Sequence, residues 1–132
     1  MHKRLFAPGQ IGSLRLKNRL LMAPMVRNWG TPEGCSTPRY LAHIERIARG
    51  GVGAIVLEAS YVSPDGKGFT HQLGVHDDIV VGPLRKLVDA SHRHGACIGV
   101  QLYHAGRQTH AAITGSQPVG ASELPCPLGQ EG

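Results

Sequence analysis

The chain has 132 residues, with 18 Gly, 9 Pro and only 5% aromatic residues; this suits one small domain and falls short of a closed eight-fold β/α barrel, which takes about 250 residues. Hydrophobic residues at 41% against 17% charged exclude an intrinsically disordered chain. The net charge of +5 is dispersed with no aromatic platform among the basic residues, which argues against nucleic-acid binding, and no run approaches the roughly 20 apolar residues that span a membrane.

In chain order, Pro8, Gly9 and Gly12 mark turns, and a short hairpin is expected around Ile11 to Leu16, within an N-terminal region of residues 1–18. Arg19 to Ala23 reads as a buried strand stopped at Pro24. Ser36 or Thr37 caps a helix starting near Pro38, with Tyr40, Leu41, Ile44, Ile47 and Ala48 as its apolar face and Gly50-Gly51 as its stop. Val52 to Leu57 is a second strand whose end is marked by Glu58 and Ala59. A helix from about Gly82 to His94 places Leu84, Leu87, Val88 and His92 on one side and stops at Gly95, before a third strand over Ala96 to Leu102. Residues 19–110 thus form a three-strand β/α core, and residues 111–132 are a turn-rich segment.

Strand, helix, strand, helix, strand favours a parallel sheet with its helices outside. Two folds fit: a small open α/β domain, or the first three β/α units of an incomplete TIM-type barrel with an N-terminal hairpin, whose open edge would invite aggregation or completion by another chain. In the barrel, Ala23, Pro24, Met25 and Val26 after the first strand, Ala59 after the second and Gln101 near the end of the third converge on the C-terminal face. Met25 there packs against a planar ring, Ala59 leaves room for it, and Gln101 offers a donor and an acceptor to a heterocycle edge.

The segments LFAPGQIGSLRLKNRLLMAPM, Arg46-Ile47-Ala48-Arg49-Gly50-Gly51, GVGAIVLEASYVSPDGKG and QLYHAGR, in that order, resemble the N-terminal portion of the Old Yellow Enzyme family of NADH:flavin oxidoreductases, in particular the bacterial dienoyl-CoA reductase-like branch. The resemblance covers almost the whole chain. It implies an FMN-type β/α barrel in which Ala23, Pro24, Met25, Val26, Ala59 and Gln101 bind the cofactor, with Gln101 bonded to the flavin pyrimidine portion. It further implies hydride transfer from NADH or NADPH through FMN to an activated alkene such as an enone or dienoyl thioester. Val26 stands where relatives carry Thr or Cys, so only its main chain can make the polar contact that those residues provide.

Asn28, His104 and Arg107 are the substrate-side candidates, Asn28 lying where some relatives carry an aromatic substrate contact. The plainer alternatives are a loop-bonded histidine at His104, a loop clamp at Arg107 and a pocket-wall carboxylate at Glu58. The family's anion-binding pair, phosphate loops, proton-donating Tyr and iron–sulfur cysteines belong to later sequence. The catalytic residues are therefore unassigned, no iron–sulfur cluster is supported, and this exact chain is expected to lack a complete cycle; the alternative is a noncatalytic flavin-binding or assembly fragment, with a complementary chain or a homo-oligomer as partner. The stretch GGVGAI lacks the last glycine of a dinucleotide fingerprint and leads into a strand. The eight histidines define no metal site, and three dispersed cysteines favour a reducing, cytoplasmic setting.

Overall fold

The computed structural model describes residues 3–124 and 126. It opens with a hairpin, β1 (Gly9–Ile11) and β2 (Leu14–Leu16), in which Gly9 lies opposite Leu16 and Ile11 opposite Leu14. The link Gly12-Ser13 closes tightly because Gly12 adopts φ +56, the sign that two-residue hairpin turns require.

Three parallel strands follow, β3 (Leu21–Met22), β4 (Ala54–Tyr61) and β5 (Cys97–Tyr103), ordered β3-β4-β5. Helix α1 (Pro38–Arg49) connects the first pair and α2 (Val81–Arg93) the second. Both pack into one core of Tyr40, Ile44, Ala48, Ile55, Leu57, Leu73, Leu87 and Ala96, so sequential strands carry their crossovers on the same side of the sheet. That is the curvature of a barrel arc; a doubly wound sheet divides its helices between two faces.

Helix α1 forms where caps and apolar spacing agree. Thr37 Oγ1 accepts from the Tyr40 amide (3.3 Å), Pro38 occupies the first turn, and Tyr40, Ile44 and Ala48 recur every four residues on the buried stripe. The helix stops at Gly50 and Gly51, the latter at φ +93. Gly53 then permits a close approach: a Cβ there would lie 2.5 Å from the Asn18 carbonyl oxygen. Asn18, buried behind the hairpin, donates to the Gly51 carbonyl (2.7 Å) and accepts from the Leu20 amide (3.1 Å), so the glycine-rich turn is a seat for the hairpin exit.

Several boundaries differ from the sequence-based expectation. β3 is confined to Leu21–Met22, and β4 begins at Ala54 and continues past Leu57 to Tyr61, so Glu58 and Ala59 lie within the strand. The strand survives a carboxylate because main-chain donors satisfy it, as described below. In α2, Leu87, Ala90 and Ser91 are the buried positions while His92 is exposed; the Ser91 hydroxyl is accommodated by donating to the Leu87 carbonyl (2.9 Å). After β5 the described chain contains only a four-residue helix, α3 (Ala111–Thr114). Residues 1–2 of the N-terminal region and residues 125 and 127–132 of the turn-rich segment lie outside the described residues.

Candidate functional site

Because β3, β4 and β5 are parallel, their C-terminal ends share one edge of the sheet. Ala23-Pro24-Met25-Val26 leaves β3 along that edge, with Met25 52% and Val26 36% exposed. Ile98 and Val100 of β5 pack against the helix-side core, so strand alternation sends Gly99 and Gln101 to the other face. Gln101 is exposed, and its side-chain amide has no hydrogen-bond partner among the described residues.

Ala59 reaches Gln101 through an irregularity. Leu57 pairs with Val100, but Gln101 pairs with Ala59, leaving Glu58 as an extra residue in a β-bulge. An unbroken register would have set Glu58 beside Gln101. The bulge instead sets a small side chain there and diverts the carboxylate.

Glu58 is 0% exposed. Its Oε2 accepts from the Arg27 amide and its Oε1 from the Leu73 amide (3.1 Å), linking the loop after β3 to the loop after β4. Burial pushes its carboxyl above the ordinary glutamate range, opposed by these two amides and the nearby Arg27 guanidinium. On the α1 side, burial and then the Glu58 charge push the Tyr40 hydroxyl up as well. Glu58 is thus a buried carboxylate satisfied by backbone donors.

Next to it, Gln72 is 0% exposed and donates to the Ala59 carbonyl (2.7 Å) while accepting from the Gly68 amide (2.8 Å). It latches the loop after β4 onto the bulge. Sequence reasoning missed Gln72, since an isolated polar residue in a loop carries no periodic signal. Trp29 was missed too: Arg39 stacks over its ring at 4.0 Å and His43 meets it edge-on at 5.5 Å.

The three substrate-side candidates are engaged in loop structure. Asn28 adopts φ +56 and its Oδ1 accepts from the His71 amide (2.7 Å), so it braces the same two loops that Glu58 joins. His104 Nδ1 accepts from the Gly106 amide (3.0 Å) and its Nε2 lies 3.6 Å from Asp65, whose carboxyl is held down first by the Ser63 hydroxyl and further by His104. Arg107 donates to the Leu124 carbonyl (3.2 Å), a clamp onto the following segment. Among the described residues no group of three or more His, Cys, Asp or Glu is placed to hold a metal, and no helix is long and apolar enough to cross a membrane. A groove of about 410 Å³ between the hairpin and Leu21 lies at the opposite, N-terminal end of β3.

The strand-end surface fits a flavin on chemical grounds: an unengaged amide with both donor and acceptor, a small residue beside it, and an exposed thioether on the neighbouring segment.

The sequence profile of the NADH:flavin oxidoreductase / NADH oxidase family matches residues 4–130. The NADH oxidase of Thermoanaerobacter brockii is 43% identical over 124 residues, covering 92% of this chain and 19% of that protein. The old yellow enzyme homologue from Zymomonas mobilis superposes with a TM-score of 0.80 at 32% identity, over 89% of this chain and 33% of that one. A 2-naphthoyl-CoA reductase in complex with 2-naphthoyl-CoA superposes with a TM-score of 0.90 at 30% identity, over 97% of this chain and 21% of that one. The chain therefore spans about a fifth to a third of the length of these relatives.

Proposed function

The chain belongs to the NADH:flavin oxidoreductase / NADH oxidase family, the Old Yellow Enzyme group of FMN-dependent NAD(P)H oxidoreductases, and we propose that its strand ends form one wall of an FMN site. The three-stranded sheet is accordingly an arc of an FMN-type barrel, not a small open α/β domain. The observation that carries the site is the Ala59–Gln101 pair, with an unengaged amide next to a small side chain at the C-terminal ends of parallel strands.

In this reading residues 1–132 are the N-terminal portion of the barrel. Gln101 hydrogen-bonds the pyrimidine edge of the flavin, Ala59 leaves clearance, and Ala23, Pro24, Met25 and the Val26 main chain border the ring. When bound, FMN supplies the hydride chemistry, passing reducing equivalents from NADH or NADPH to an electron-poor acceptor. The acceptor class is an activated alkene such as an enone or an unsaturated thioester; the thioester arm takes support from the 2-naphthoyl-CoA complex, which shares this chain's fold. Asn28, His104 and Arg107 border the acceptor side through the loops they brace. Three dispersed cysteines, an odd number with no paired spacing, support a reducing, cytoplasmic setting.

Titration of the purified chain with FMN tests the site. Saturable binding below about 1 mM with a shifted flavin spectrum is expected, and Gln101→Leu should weaken it about tenfold, the loss of roughly one net hydrogen bond. Because Gln101 is exposed and unengaged, that variant should keep its stability within about 0.5 kcal/mol. Unchanged affinity and spectrum in a folded Gln101→Leu would reject the assignment.

A second reading, a noncatalytic flavin-binding or assembly piece, is favoured by the exposed Leu21 (48%) and Leu102 (69%) on the two outer strands. It expects a homo-oligomer or a complex with a complementary chain. A folded monomer by solution mass at micromolar concentration would count against it.

A further inference from the structure

We propose that Glu58 is a positioning residue: set apart from the sheet by the bulge, its buried carboxylate joins the loop after β3 to the Leu73 turn and thereby fixes the Val26–Arg27 peptide relative to Ala59 and Gln101. A fully buried carboxylate is costly unless its oxygens are satisfied. Here each oxygen takes a different main-chain donor, Arg27 on one side and Leu73 on the other, across sequence separations of 31 and 15 residues. Since both oxygens are engaged and the residue is 0% exposed, Glu58 is not built to exchange protons with a substrate.

The grip has a directional consequence. In a trans peptide the N–H and C=O point in opposite directions, so holding the Arg27 N–H turns the Val26 carbonyl away from Glu58. The same carboxylate anchors Leu73, whose carbonyl accepts from the Tyr61 amide (3.1 Å) at the end of β4. One side chain therefore sets three pieces of main chain: the loop after β3, the end of β4 and the Leu73 turn. Its significance for cofactor placement rests on the flavin reading above; its joining of the loops does not.

A glutamine cannot replace it, because one arm of the amide is a donor and would oppose a backbone N–H. Glu58→Gln in the full chain should keep its far-UV spectrum, lose at least about tenfold in exchange protection at the Arg27 or the Leu73 amide, and bind FMN about tenfold more weakly. Its flavin spectrum should remain altered even at saturating FMN, a change that reduced stability alone does not produce. In the wild type, the Arg27 and Leu73 amide resonances should move along one titration curve with one midpoint above that of an ordinary glutamate. Its charged and titratable neighbours among the described residues are Arg27 from the loop and Tyr40 from α1, and burial pushes the Tyr40 hydroxyl up, away from that range. Separate midpoints for the two amides, or a folded Glu58→Gln with both protections and the bound-flavin spectrum unchanged, would overturn the proposal. If the variant does not fold, the wild-type titration decides; if wild type binds no FMN, the flavin reading falls while the amide measurements still decide whether Glu58 joins the loops.

Discussion

On the helix side of the sheet, Tyr40, Ile44, Leu73 and Leu87 are at most 1% exposed, whereas at the strand ends Met25 is 52% and Val26 36% exposed beside the unengaged Gln101. The first region has used its chemistry internally, each buried side chain contributing about 1.5–3 kcal/mol of transfer free energy. The second keeps an apolar edge and a polar amide available, and its shape is held from behind by Glu58 and Gln72. Substitutions should therefore separate into those that unfold the chain and those that change only what it binds.

The largest effect is expected for Leu87→Ala, which opens a cavity between α2 and the sheet and should cost about 2–5 kcal/mol in urea unfolding. A loss below about 1 kcal/mol would show that the helix layer is not the cohesive region. Gln72→Leu comes next, since it strands the Ala59 carbonyl and the Gly68 amide; about 1–3 kcal/mol should be lost, with faster exchange at Gly68. If Gly68 remained protected, the loop would be held by something other than this latch.

A smaller, pH-dependent effect should come from Glu58. Burial raises its folded pKa above the ordinary 4.5, so the folded state binds its proton more tightly than the unfolded state. The resulting stabilisation is fully present below 4.5 and is lost as pH rises through the folded value. Wild type should lose stability relative to Glu58→Gln as pH rises above 4.5, measured by parallel urea curves; a difference that grows in the opposite direction would contradict the assignment. The smallest effect is expected for Val26→Thr, at 36% exposure: less than about 0.5 kcal/mol in stability, together with a measurable shift in the potential of bound flavin.

Much of the helix layer is legible in local sequence. Thr37 before Pro38, the recurrence of Tyr40, Ile44 and Ala48, and the Gly50-Gly51 stop are all short-range signals for α1. Leu73 is as buried as any of these, but a single anchor in a loop has no period to reveal it. Glu58 misleads for a related reason: a charge in an apolar run reads as a strand end, while the donors that retain it in the strand lie on Arg27 and Leu73. The bulge that places Ala59 beside Gln101 is a matter of register between strands, to which the β4 sequence alone is silent. Asn28, a substrate-side candidate by resemblance, also has a local task that no short-range pattern reveals, since its Oδ1 accepts from the His71 amide 43 residues away.

The Thr37 hydroxyl that starts α1 also donates to the Trp29 carbonyl (2.6 Å), one of the anchors of the loop descending from β3. One oxygen thus belongs to two elements. Fraying of the first helical turn therefore also removes one anchor of the loop, while the Glu58 and Asn28 contacts remain to hold it. The loop that carries Met25 and Val26 is thus tied to a helix at Trp29 and to a strand at Arg27, although it has no regular hydrogen-bond ladder of its own.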